Sequence, residues 1–245
     1  MKFFIKILVF VVLISSTLFG STGFPDRYYK MSSKKAKQFF FNYFEKRIEI
    51  ENIKILADRL FIKSLVNYPL PKKGSLEYKK LELLQKKYKV QNIYDYKNFL
   101  RRIDIIPPSM ALAQAATESG WGKSRFFKKA NNIFGHWTYN PKIGMVPLKR
   151  KDGAKHLVRV FATLEDSIAA YMLNLNRTSA YKSFRKLREN MRSTKRFING
   201  LQLSTTMTKY SGIGYEYVKI LQSIIRRYNL VNYDIKFHEK IKNLE

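Results

Sequence analysis

From Pro107 to Gly122 the chain reads PPSMALAQAATESGWG, and this stretch constrains the fold more than any other. Proline suits the first turn of a helix, where its missing N–H is not needed. Glycine suits the turn that ends one. Between them, Ala111, Ala113, Ala115 and Ala116 let neighbouring elements approach the backbone closely. The pattern predicts a packed helix ending at Ser119-Gly120, with Glu118 in its last turn. The negative end of the helix dipole and the apolar surroundings both disfavour an ionised Glu118, so its pKa should be raised. A carboxyl group that keeps its proton near neutral pH is what glycosidic bond cleavage needs as general acid. A solvated glutamate paired with a lysine is the competing reading. Gln114, one turn earlier on the same face, could orient the carboxyl group or a sugar.

Around this helix the chain reads as mainly helical α+β. Residues 30–66 carry Phe40, Tyr43, Phe44, Ile48, Ile55 and Leu56 at helical spacing. Tyr68-Pro69-Leu70-Pro71 and Gly74 break that helix, and residues 76–88 form another. This N-terminal part holds no catalytic constellation and reads as a helical extension wrapped on the main domain. A further helix is expected over 94–103. Residues 131–163 are punctuated by glycine, asparagine and proline, with strand-like residues at 145–148 and 156–161. They predict a small β-lobe of one or two hairpins. Thr163 and Asp166 approximate a capping box for the next helix. Helices are then expected over 183–192, 194–203 and 216–228, followed by a charged tail at 233–245. The domain organisation is therefore 1–20 signal peptide, 21–94 extension, 95–232 main domain and 233–245 tail.

The start of the chain supports the first of these assignments. Lys2 and Lys6 flank the apolar run Ile7–Ile14, and small polar residues follow. This order reads as a secretory signal peptide and is shorter than a membrane-spanning helix. An uncleaved anchor, giving membrane association, is the alternative. The chain is then expected in the periplasm or outside the cell. Cysteine is absent, which excludes disulfide scaffolds, thiolate metal sites and cysteine nucleophiles. Three scattered histidines argue against a metal site, and no phosphate loop points to a cofactor. The net charge of +29 favours a polyanionic partner. Export argues against nucleic acid in that role. Loss of the two signal-peptide lysines leaves +27.

The segment Pro107–Gly122 closely resembles the catalytic helix of bacterial Bax-type glucosaminidases. These belong with the endo-β-N-acetylglucosaminidase, flagellar-muramidase-like peptidoglycan hydrolases. Asn131-Asn132-Ile133-Phe134-Gly135 is similar to the turn after that helix. Gly144–Pro147 and Gly153–His156 resemble the β-lobe. Leu173–Asn176, Ala180-Tyr181 and Phe184-Arg185 resemble the next helices, and Tyr210-Ser211, Gly214 and Tyr217-Val218 the terminal tyrosine motif. These matches run in consistent order over roughly residues 95–230.

The resemblance implies a lysozyme-like fold that cleaves the β-1,4 bond after N-acetylglucosamine in peptidoglycan strands. It implies Glu118 as general acid and Tyr210 facing the reacting sugar. Asn132 either shapes a turn or bonds the N-acetyl group. Trp137 and Tyr139 either stack on sugar or pack. His156 is placed with the substrate-binding residues. Trp121 and Phe134 are expected to pack the helix end. A second acid is missing where relatives often carry one: after His156 stands Leu157, and Asp152, before Gly153, reads as a turn residue or a base. A lytic transglycosylase using the same glutamate, a weakly catalytic glycan-binding scaffold and a polyanion binder are the competing functions.

Overall fold

The computed structural model describes residues 23–148, 150 and 153–244. Residues 1–20, expected to be a signal peptide, and Asp152 lie outside the described residues. No described helix is long and apolar enough to cross a membrane.

Helix α1 (Asp26–Tyr29) leads into the long α2 (Ser33–Leu65). Phe40, Phe44, Ile48, Ile55 and Ile62, four or seven residues apart, are buried along one face of α2. Helix α3 (Leu76–Tyr88) starts at Ser75, whose hydroxyl accepts from the Tyr78 N–H at 3.1 Å. Helix α4 (Tyr96–Arg102) starts in the same way at Asp95. Helix α5 (Pro108–Ser119) is the expected alanine-rich helix; every residue from Pro108 to Ala116 is buried. It ends on Gly120 at φ +56°, a left-handed conformation that glycine adopts without strain. The short α6 (Arg125–Ala130), capped by Ser124, follows where no element was expected.

The expected β-lobe is a three-stranded antiparallel sheet in which β2 and β3 form a hairpin. Its strands are β1 (Trp137–Thr138), β2 (Gly144–Met145) and β3 (Leu157–Arg159), in the order β1-β3-β2. Trp137 pairs with Val158, and Gly144 with Arg159. Helix α7 (Leu164–Arg177) carries the complete capping box between Thr163 and Asp166. Helix α8 (Lys182–Ser193) follows.

The helix expected over 194–203 is a correction. Lys195 turns left-handed at φ +53°, and Arg196 N–H bonds back to the Met191 carbonyl at 2.8 Å, closing α8. Asn199 then caps a new short helix α9 (Gly200–Leu203), which runs into a 3₁₀ turn at Ser204–Lys209. Helix α10 (Tyr215–Arg227) is close to the expected span. Of the charged tail expected at 233–245, residues 233–244 are described and pack on the domain. They lie largely in helix α11 (Val231–Ile241), which buries Asp234, Phe237 and Ile241 and leaves its lysines outside.

The fold is thus mainly helical α+β, with α5 at its centre. Helices α2, α9, α10 and α11 all pack against α5. The approach of α9 requires Gly200: a Cβ there would stand 2.2 Å from Ser109 Oγ. One hydrophobic core runs from Phe24 through α5 to Leu230, so the N-terminal helices share it. They also hold both flanks of α5. Asn52 of α2 donates to the Ile106 carbonyl (2.8 Å) and accepts from its N–H (2.9 Å). Tyr28 of α1 donates to the Trp121 carbonyl (2.6 Å), and Tyr29 to that of Gly122 (3.2 Å). Just before α5, the buried Asp104 faces three guanidinium groups, with Arg192 at 2.5 Å, Arg59 at 3.6 Å and Arg188 at 3.7 Å. Burial alone would raise its pKa, but the three arginines hold its carboxyl well below the usual range.

Candidate active site

Glu118 reaches the surface at the C-terminal end of α5. Its two oxygens differ. Oε1 accepts a hydrogen bond from the Tyr217 hydroxyl at 2.6 Å. Oε2 has no hydrogen-bond partner among the described residues and lies beside Gly135. A Cβ at that glycine would stand 3.6 Å from it. Burial raises the Glu118 pKa, and the Tyr217 hydrogen bond offsets part of that rise. The result is a carboxyl group that retains its proton above the ordinary glutamate range and has one open oxygen from which to give it.

Behind Glu118 runs a buried relay. Tyr171 of α7 donates to Gln114 Oε1 at 2.6 Å. Gln114 Nε2 donates to the Tyr217 oxygen at 3.1 Å, and Tyr217 donates to Glu118. Gln114 therefore orients the carboxyl group through Tyr217. It is fully buried, so the expectation that it could contact sugar is corrected. Tyr217 was legible only as part of the terminal tyrosine motif, in the first turn of α10, seven residues after Tyr210. Its role depends on α10 packing against α5, which no local pattern announces.

Tyr210 stacks on Tyr217 with ring centroids 5.5 Å apart and planes 4° apart. Its hydroxyl donates to the Phe134 carbonyl at 3.2 Å. Phe134 itself stacks on Tyr171 at 3.9 Å, and Trp121 packs among Phe40, Phe41 and Tyr228, as expected for residues that hold the helix end. Asn132 is a turn residue: its amide donates to the carbonyls of His136 and Arg159, both at 2.8 Å, and its oxygen accepts from His136 N–H. Buried and so engaged, it has no amide hydrogen left for an N-acetyl group, which corrects its placement among the substrate-binding residues.

A groove of about 840 Å³ opens between the β-lobe and α7, bounded at one end by α2 and α3. Phe134, Gly135, Trp137 and Tyr210 line it; Glu118 does not, and is reached past Gly135. Trp137 is 64% exposed and stacks on His156 at 4.3 Å. Tyr139 is 76% exposed but does not line the groove. Two carboxylates, Glu51 and Asp166, also line it. Glu51 is paired with Lys54 at 3.1 Å, and Asp166 is engaged in the capping box. Among the described residues no group of three His, Asp or Glu side chains is placed to hold a metal ion.

The glucosaminidase family model, described as mannosyl-glycoprotein endo-beta-N-acetylglucosaminidase, matches residues 93–230. The chain belongs to the glucosaminidase family. It is also 30% identical over 207 residues to Protein bax of Escherichia coli (strain K12), covering 80% of this chain and 71% of that protein. No solved structure matches it. Family membership makes the chain a glycosidase-type enzyme that binds glycan. Every residue of the Glu118 relay, together with Gly135 and Tyr210, falls inside the glucosaminidase match.

Proposed function

We propose that the protein cleaves the β-1,4 bond after N-acetylglucosamine in peptidoglycan strands, with Glu118 as general acid. The observation that carries this reading is the asymmetry of Glu118: a carboxyl group of raised pKa with Oε1 fixed by Tyr217 and Oε2 open beside Gly135. Glu118 gives its proton to the leaving oxygen. Among the described residues no charged neighbour shifts the Glu118 pKa, and the two groove carboxylates, Glu51 and Asp166, are otherwise engaged, which favours a mechanism that needs one acid. The acetamido oxygen of the substrate supplies the nucleophile, attacking the anomeric carbon as the glycosidic bond breaks. Water then opens the resulting oxazolinium ring and returns a proton to Glu118. Tyr210, lining the groove beside Phe134, positions the N-acetyl group, and exposed Trp137 offers its ring to a sugar face. The enzyme acts in the periplasm or outside the cell, and its basic surface holds it near the stem-peptide carboxylates of the wall polymer.

The test is digestion of purified sacculi with wild type and Glu118→Gln, with mass spectrometry of the released fragments. Reducing N-acetylglucosamine ends, lost in the variant, support the reading. Anhydro-muramyl ends would make the protein a lytic transglycosylase. Release that survives Glu118→Gln would overturn the assignment, and sacculus binding without release would point to a scaffold.

A further inference from the structure

Two polar side-chain atoms on the groove wall have no partner. They are Arg159 Nε and His136 Nδ1, both buried from solvent and without a hydrogen bond. A buried polar atom left unpaired is destabilising, so two of them on neighbouring residues that line one groove call for an explanation. The two residues are neighbours across the β-lobe, where Arg159 N–H bonds to the His136 carbonyl at 2.9 Å. Both side chains pack on the same ring: the Arg159 guanidinium lies 4.6 Å over Phe161, and the His136 ring meets Phe161 edge-on at 5.7 Å. All three residues line the groove. Arg159 has no carboxylate partner among the described residues, whereas Arg47, Arg101 and Arg192 each have one. Burial and the Arg159 charge push the His136 pKa down to about 4, so the imidazole is neutral at working pH and does not repel the guanidinium. The pair adjoins Gly135, the residue beside Glu118 Oε2.

We propose that Arg159 and His136 form a carboxylate-binding site in the groove, which takes the acidic arm of the muramyl sugar next to the cleaved bond. A guanidinium without a carboxylate partner matches a carboxylate through its paired N–H groups, and the uncharged imidazole beside it leaves the positive charge at Arg159. The site deepens the proposed peptidoglycan reading by making the enzyme selective for acid-bearing strands over neutral amino-sugar polymers. The acid is either the lactyl carboxylate of a muramyl sugar without a stem or the α-carboxylate of the D-glutamyl residue, the first free carboxyl group of a stem.

The test uses probes with no bond to cleave. N-acetylmuramic acid and N-acetylmuramyl-L-alanyl-D-glutamine, whose α-carboxylate is the first free one of a stem, are each titrated against their methyl esters into the intact chain, followed by chemical-shift changes. At least one acid should bind tenfold or more tightly than its ester, and which acid does so identifies the arm. Arg159→Met should abolish the preference while ester binding stays within twofold. Arg159→Lys, which keeps the charge without the fork, should retain part of it, and His136→Gln should reduce it severalfold. Thermal melts confirm that each variant is folded. Equal binding of acid and ester, no binding of either acid, or a preference that survives Arg159→Met overturns the proposal. Sacculus cleavage is read separately: acid preference without cleavage sinks only the enzymatic reading, and cleavage without acid preference sinks only this one.

Discussion

Helix α5 meets a carboxyl group at each end, and the two are held in opposite ways. At the N-terminal end, Asp234 of α11 accepts from Ser109 N–H (2.8 Å), Ser109 Oγ (2.5 Å) and Gly200 N–H (2.9 Å). At the C-terminal end, Glu118 accepts from Tyr217 alone and leaves Oε2 open. Burial raises the pKa of both, that of Asp234 to about 6. The saturated carboxyl group ties three elements together. The half-satisfied one has a raised pKa and an oxygen left open beside Gly135. Burial is therefore not what separates an anchor from an acid; the number of donors already aimed at the group is.

The largest expected effect breaks the comparison at its chemical end. Glu118→Gln should lower sacculus turnover about a thousandfold, within the usual range for a general acid, with little change in the urea midpoint. A comparable loss of stability would mean that Glu118 is also an anchor. At the other end, Asp234→Ala should cost about 3 kcal/mol in urea unfolding, because it orphans three buried donors. Turnover per folded molecule should stay within about threefold. The Asp234 pKa adds a pH signature. A carboxyl raised from 3.8 to about 6 on folding gives stability that is fully present below pH 3.8 and lost as pH rises through about 6. Stability of the wild type should therefore carry a component falling by about 2 kcal/mol between pH 4 and 7. That component should vanish in Asp234→Asn. Asp104, held low by its arginines, contributes with the opposite sign: its stabilisation is present above pH 3.8 and lost only in strong acid.

Smaller changes sharpen the contrast. Tyr217→Phe removes the one donor to Glu118 and should reduce kcat about tenfold. Because that hydrogen bond lowers the Glu118 pKa, its loss should move the alkaline limb of the pH–rate profile upward. A limb that stays in place would show that Tyr217 does not tune the acid. Gly135→Ala puts a methyl group 3.6 Å from Oε2 at a backbone φ of +70°. It should cost about 1 kcal/mol of stability and reduce turnover severalfold.

The chemical end of α5 was largely legible in the sequence. Proline, alanine, glutamate and glycine report helix start, packing, acid and stop through local rules, as does the Thr163–Asp166 cap. The anchor end was not. Asp234 sits in a segment whose charges read as a tail, and only its return to Ser109, 125 residues earlier, makes it structural. Gln114 and Asn132 were picked out as polar residues near the site, but spacing cannot tell a side chain facing sugar from one spent inside the fold. Tyr217 is marked only by the tyrosine motif, which does not give its role, and Arg159 and His136 carry no local signal stronger than their residue type. The break at Lys195 was missed because a lysine in left-handed conformation is set by its surroundings, not by its own preference.

The clasp of the N-terminal helices on α5 bears on how the enzyme can be cut down or transplanted. A fragment starting near residue 93, where the glucosaminidase match begins, would lack Asn52 for both backbone groups of Ile106. It would also lack Tyr28 for the Trp121 carbonyl and the ring of Phe24 against Phe127. Such a fragment keeps every residue of the Glu118 relay and exposes one side of the core that holds the relay in register. In recombination terms the unit of inheritance is longer than the family signature: the smallest graftable enzyme includes the helix carrying Asn52.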